Sequence, residues 1–229
     1  MILVGVILVS IILYCIISDW NFMEGDLSRI RRVNMYQKTI VAQWVALAFV
    51  IIAWLIASFK WQSFIFYPGE SKAPNNEFLA GFLTSVIITS IVLVIVWTVL
   101  SKKGKAPTVG NIDFLLPQTK QERIWYTFVA LTAGICEELI FRGAMTFFLV
   151  SLPFDLSLTS VGVIGSIIFG LVHLYQGPKG VIMTGFLGFA MFNVYAMTGS
   201  LFLAIFLHFI IDVKFVFVPN KEKTEVAIS

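Results

Sequence analysis

The chain has 229 residues, 59% of them hydrophobic and 13% charged, with a formal net charge of +3 and a mean hydropathy of +0.92. Soluble domains carry about 25% charged residues, so a water-soluble globular fold is excluded. The small positive charge requires no nucleic-acid partner; it is the ordinary signature of cytoplasmic loops beside anionic lipid.

Apolar runs of about 20 residues, the length that spans the hydrocarbon of a bilayer, fall at roughly 1–18, 39–58, 78–100, 123–152, 158–176, 180–198 and 201–218. The expected fold is therefore all-α: a polytopic transmembrane bundle of about seven spans, with short loops and no sizeable soluble domain. The first run is read as a span rather than a signal peptide, because no Lys or Arg precedes Asp19. Cys15 and Cys136 both fall in apolar runs and offer no disulfide framework. Cys136 is read as apolar filler rather than a thiol nucleophile.

Basic residues set the orientation. Arg29, Arg31, Arg32 and Lys38 follow the first span, and Lys102, Lys103, Lys105, Lys120 and Arg123 precede the fourth. Lys179 follows the fifth, and Lys221 and Lys223 lie in the tail, whereas the intervening loops hold only Lys60 and Lys72. The positive-inside rule makes the richer segments cytoplasmic, with the N-terminus outside and the C-terminus inside. Three regions are expected: N-terminal helices and loops over 1–120, a transmembrane core over 121–218, and a cytoplasmic tail over 219–229.

The ionisable residues inside the spans are concentrated in the second half. "GICEELIFRG" carries Glu137, Glu138 and Arg142, "FGLVHLYQG" carries His173, and "HFIID" carries His208 and Asp212. Each costs a few kcal/mol at bilayer depth, so each needs a polar partner or water. Glu138 and Arg142 stand four residues apart and share a helix face, which makes them a structural ion pair. Glu137 points about 100° away, with Phe141 as its own fourth neighbour, so it must look across the bundle. A carboxylate left over in such a site is a candidate general base for water. His208 and Asp212 again share a face, and Gly177 and Pro178 are expected to end the helix that carries His173. Small residues at Ser166, Gly170, Thr184 and Gly188 would let neighbouring helices approach closely.

"EELIFR", "FGLVH" and "HFIID" resemble, in order, the EExxxR, FxxxH and HxxxN/D motifs of the CAAX-protease and bacteriocin-processing (CPBP, or Abi) family of intramembrane proteases. That family includes the type II CAAX prenyl endopeptidases. The resemblance covers about residues 121–215. It implies an endopeptidase in which Glu137 is the catalytic glutamate, His173 shares the attacking water, and His208 faces the oxyanion. Asp212 stands where the prenyl endopeptidases typically carry Asn. An ionised Asp has no proton to donate, so its expected part is to orient His208 as a carboxylate does in a catalytic triad, or to ligate a metal.

Two chemical versions are compatible with this spacing. The resemblance favours a metal-free glutamate mechanism; the alternative takes Glu137, His173 and His208 as zinc ligands, a His₂Glu set that would leave Glu137 unable to act as base. The implied partners are the lipid bilayer and a substrate that is a prenylated CAAX protein, a peptide precursor or a membrane protein, in a multi-pass protein of a bacterial plasma membrane. A reading from another class is a non-enzymatic membrane protein, either a bacteriocin self-immunity factor or a transporter-like protein that relays protons through the same polar cluster.

Overall fold

The computed structural model describes residues 1–23, 31–65, 110 and 112–217, together with scattered positions between 80 and 100. The described residues are helical, without strands. Six helices are numbered here in chain order: α1 (Ile2–Met23), α2 (Arg32–Ile56), α3 (Lys120–Val150), α4 (Leu158–Leu171), α5 (Gly177–Thr198) and α6 (Leu201–Val213). α1, α2, α3 and the stretch Leu174–Thr198 that contains α5 are each long and apolar enough to cross a bilayer. The expected span at 78–100 and the tail at 219–229 fall largely or wholly outside the described residues.

An apolar exterior accompanies the helical interior. Phe186 and Phe202 are 70% and 69% exposed, a lipid-facing arrangement that helices permit because they bond their backbone groups internally. The aromatic core gathers around Trp54, fully buried among Phe59, Phe64 and Phe147 at ring separations of 4.7–5.2 Å.

α3 is the central element. Thr119 caps it by accepting from the Glu122 amide, while the Glu122 carboxylate takes the amides of Thr119 and Gln118 in return; this is a capping box. The helix runs as α to Glu138, as π over Leu139–Met145, and as α again to Val150. Within the π stretch the Phe141 carbonyl accepts from the Thr146 hydroxyl at 3.3 Å.

The helix ends tie together at the end of the bundle that bears the basic segments. Arg32 donates to the Phe114 carbonyl and Tyr36 to the Leu115 carbonyl, while Asp19 accepts from the Tyr175 amide at 3.5 Å. α4 and α5 pack closely through small residues. A Cβ on Gly170 would lie 2.7 Å from the Val181 carbonyl oxygen, and one on Gly188 would lie 2.9 Å from the Phe169 ring.

One expected boundary differs. α4 stops at Leu171 rather than at Gly177 and Pro178, and Pro178 instead opens α5, where its missing N–H costs nothing. The cause is His173 itself. Its Nδ1 takes the Phe169 carbonyl at 2.7 Å, the acceptor that its own amide would use in an α-helix, and that amide turns to the Gly170 carbonyl instead.

This early stop also matches heights within the bundle. Glu137 lies 13 residues before the end of α3 at Val150, and His173 lies 15 residues beyond the start of α4 at Leu158. At about 1.5 Å per residue, both sit some 20 Å from the α3–α4 connection. α6 starts deep, with Leu201 beside Gly143, which brings His208 to the same level.

Candidate active site

α3, the turn that follows α4, and α6 bring the six expected side chains into one connected cluster, Arg142 at one end and Asp212 at another. Glu138 is fully buried and Arg142 nearly so. Arg142 Nη1 stands 3.0 Å from Glu138 Oε1, and Nη2 donates to the Gly188 carbonyl at 3.0 Å. The guanidinium also lies over the Phe169 ring, 4.4 Å from its centroid. Nη1 makes no well-aligned hydrogen bond, so its link to Glu138 is an ion pair held by proximity.

Glu138 does more than balance Arg142. Its Oε1 also receives His208 Nδ1 at 2.7 Å. The ring nitrogen that a carboxylate would fix in a triad is thus held from α3, while Asp212 lies on the other side of the ring, with Oδ2 3.5 Å from Nε2. This division follows from geometry: Glu138 faces α6 across a contact made possible by Gly134, where a Cβ would sit 3.0 Å from the Ile205 carbonyl oxygen.

Glu137 looks into the space between the helices. Its Oε2 is 3.7 Å from His173 Nε2 and 3.9 Å from His208 Nε2. Oε2 has no hydrogen-bond partner among the described residues. Both histidines therefore aim an Nε2 at one carboxylate oxygen, each with its Nδ1 already engaged, by the Phe169 carbonyl in one case and by Glu138 in the other. Phe169, the first residue of "FGLVH", packs against both rings, at 4.9 Å from His173 and 6.1 Å edge-on to His208. Cys136 points away into the apolar core.

Gln43 on α2 was not anticipated from the sequence. Its Nε2 donates to Glu137 Oε1 at 2.7 Å. The available signal was a lone amide in the apolar text "VAQWVAL", since a polar side chain inside a span needs a partner; with no charge, it escapes a count of ionisable residues.

In the zinc alternative Glu137 Oε2 and the Nε2 atoms of His173 and His208, 3.7 and 3.9 Å from it, would be the ligands. The arrangement supplies a carboxylate for taking a proton, two imidazoles for holding a water or an oxyanion, and a buried ion pair for fixing one of them.

No curated protein and no solved structure matches the chain. Residues 119–213 match the family model described as type II CAAX prenyl endopeptidase Rce1-like. That range holds Glu137, Glu138, Arg142, His173, His208 and Asp212, and it stops short of Gln43. Over these residues the chain is similar to the type II CAAX prenyl endopeptidases.

Proposed function

We propose that the protein is an intramembrane endopeptidase in which Glu137 activates a water molecule. The observation that carries this reading is the convergence of two imidazole Nε2 atoms on Glu137 Oε2, at 3.7 and 3.9 Å. These distances are too long for direct hydrogen bonds. They suit a water resting about 2.8 Å from each of the three atoms.

In the proposed reaction Glu137 Oε2 takes one proton from that water while His173 Nε2 accepts its second hydrogen. The hydroxide oxygen attacks the carbonyl carbon of the scissile peptide, and the carbonyl electron pair moves onto oxygen. His208, doubly protonated, keeps Nδ1–H on Glu138 and offers Nε2–H to that oxyanion, a contribution of the kind that usually dominates acyl transfer. The oxyanion collapses, the C–N bond breaks, and Glu137 passes its proton to the departing nitrogen. Asp212, on the Nε2 side of the same ring, steers the imidazole toward the oxyanion when substrate arrives. No metal takes part in this scheme.

The cluster is carried within a bundle of apolar helices, which supports a substrate that enters the bilayer: a prenylated CAAX protein, a peptide precursor or a membrane protein. The multi-pass protein is proposed to work in a bacterial plasma membrane.

The test is terminal proteomics of membranes that express wild type or Glu137→Gln, followed by purified protein with a peptide spanning any new terminus. New termini with wild type alone, reproduced in detergent, are the expected result. Equal termini with both proteins, or a phenotype that Glu137→Gln leaves intact, would favour a binding or immunity role for the same cluster and would overturn the enzyme.

A further inference from the structure

The Glu137 carboxylate is asymmetric in its surroundings. Oε1 receives the Gln43 amide at 2.7 Å, whereas Oε2 faces both histidines and has no hydrogen-bond partner among the described residues. The amide must present its nitrogen here, because an ionised carboxylate only accepts. Gln43 Oε1 is itself buried without a partner among the described residues, so none of these pulls the amide toward the opposite flip. Gln43 comes from α2, 94 residues away in sequence and outside the residues that the family model covers.

We propose that Gln43 is a positioning residue of the peptidase site: by occupying Oε1 it fixes the Glu137 rotamer and reserves Oε2 as the proton-accepting atom. The inference rests on Glu137 acting as general base. Without the amide, the carboxylate can rotate about its last torsion, which is broad and two-fold. Either oxygen then faces the histidines, at variable distance. A misplacement of about 1 Å is enough to cost up to about a hundredfold in rate. α2 thereby becomes a catalytic-site helix rather than packing alone.

The ionisable groups around Glu137 are His173 and His208, with Glu138, Arg142 and Asp212 behind them, and Cys15 of α1, Cys136 of α3 and Tyr175 within electrostatic range. None of these supplies a donor to Oε1, so removal of Gln43 has no ready substitute among the described residues.

The experiment measures kcat and KM of the full-length protein in detergent, on the peptide identified above, for Gln43→Met, Glu137→Gln and the double variant. Unfolding midpoints are recorded for all three. Gln43→Met keeps length and loses the donor. It should lower kcat by about ten- to a hundredfold, with KM within twofold, and it should cause no further loss on top of Glu137→Gln. Multiplying losses in the double variant, or a Gln43→Met kcat within twofold of wild type, would overturn the proposal. Gln43→Glu is the second variant, in case Gln43→Met folds poorly. It can donate to Glu137 only while the pair shares a proton, so its kcat should fall as pH rises through a range where wild type holds steady; parallel profiles refute the positioning role. If wild type cleaves nothing that Glu137→Gln leaves intact, it is the general-base reading that fails. The midpoints then decide the contact alone, because coupled residues give non-additive shifts and additive ones would remove Gln43 from the site.

Discussion

Arg142 offers the most direct measure of what holds the site together. Arg142→Ala removes a guanidinium that is 2% exposed, together with its pairing to Glu138, its bond to the Gly188 carbonyl and its stacking on Phe169. Breaking a buried ion pair by deleting one partner costs about 3–5 kcal/mol. The lower half of that range applies here, because Glu138 keeps His208 Nδ1 at 2.7 Å. The lost charge-assisted bond to Gly188 adds about 1.5 kcal/mol and the ring contact about 1 kcal/mol. These terms overlap, and a total near 4 kcal/mol corresponds to roughly a thousandfold change in the folded-to-unfolded ratio. Urea or SDS titration in detergent, followed by tryptophan fluorescence, reads it, with size-exclusion profiles as a check on aggregation. Glu138→Gln paired with Arg142→Ala sharpens the argument: if an orphaned charge is the main cost, the double variant should recover about 2 kcal/mol relative to the sum of the single changes. A wild-type midpoint for Arg142→Ala, or strict additivity in the cycle, refutes the reasoning.

Gly134→Val should separate α3 from α6 and lengthen the Glu138–His208 contact, costing about 1–3 kcal/mol through overpacking; an unchanged midpoint with full activity would show that the backbones do not meet there. His208→Ala should lower kcat by about two to three orders of magnitude in protein that stays folded, and a loss below tenfold on a verified substrate would remove it as the oxyanion donor. Exhaustive chelation and dialysis should leave peptidase activity intact; abolition that zinc reverses would establish the ligand role of Glu137, His173 and His208 instead. In a background lacking Cys15 and Cys136, a cysteine at Lys60 should react with an impermeant reagent from outside and one at Lys179 should not, and the opposite pattern would invert the orientation.

The pairing of Glu138 with Arg142 was legible from a spacing of four, because a helix fixes which neighbours meet whatever surrounds it. The approach of α4 to α5 was legible for a similar reason, since small residues advertise a close crossing. Other features depended on competition that a linear pattern does not display. The end of α4 is decided by a side chain taking a backbone acceptor at Phe169, although Gly177 and Pro178 looked like the stronger signals. The contact of Asp212 with His208 was legible from their spacing and is made at Nε2, but the carboxylate on Nδ1 belongs to Glu138, a choice made by the rotation of α3 against α6. Gln43 meets Glu137 only through tertiary packing of α2, and nothing in its local sequence names a partner 94 residues on.

The π stretch in α3 has a consequence for changes in chain length. A single π turn holds one residue more than the α-helix that would join the same two flanks. Deleting one residue from most points in a helix swings everything beyond it by about 100°. A deletion within Leu139–Met145 can instead relax the wide turn to α, leaving Glu137 and Glu138 on one side, and Thr146–Val150 on the other, in their present registers. α3 thus carries a seam where length can change without turning the glutamates away from the histidines, next to the residues least free to move.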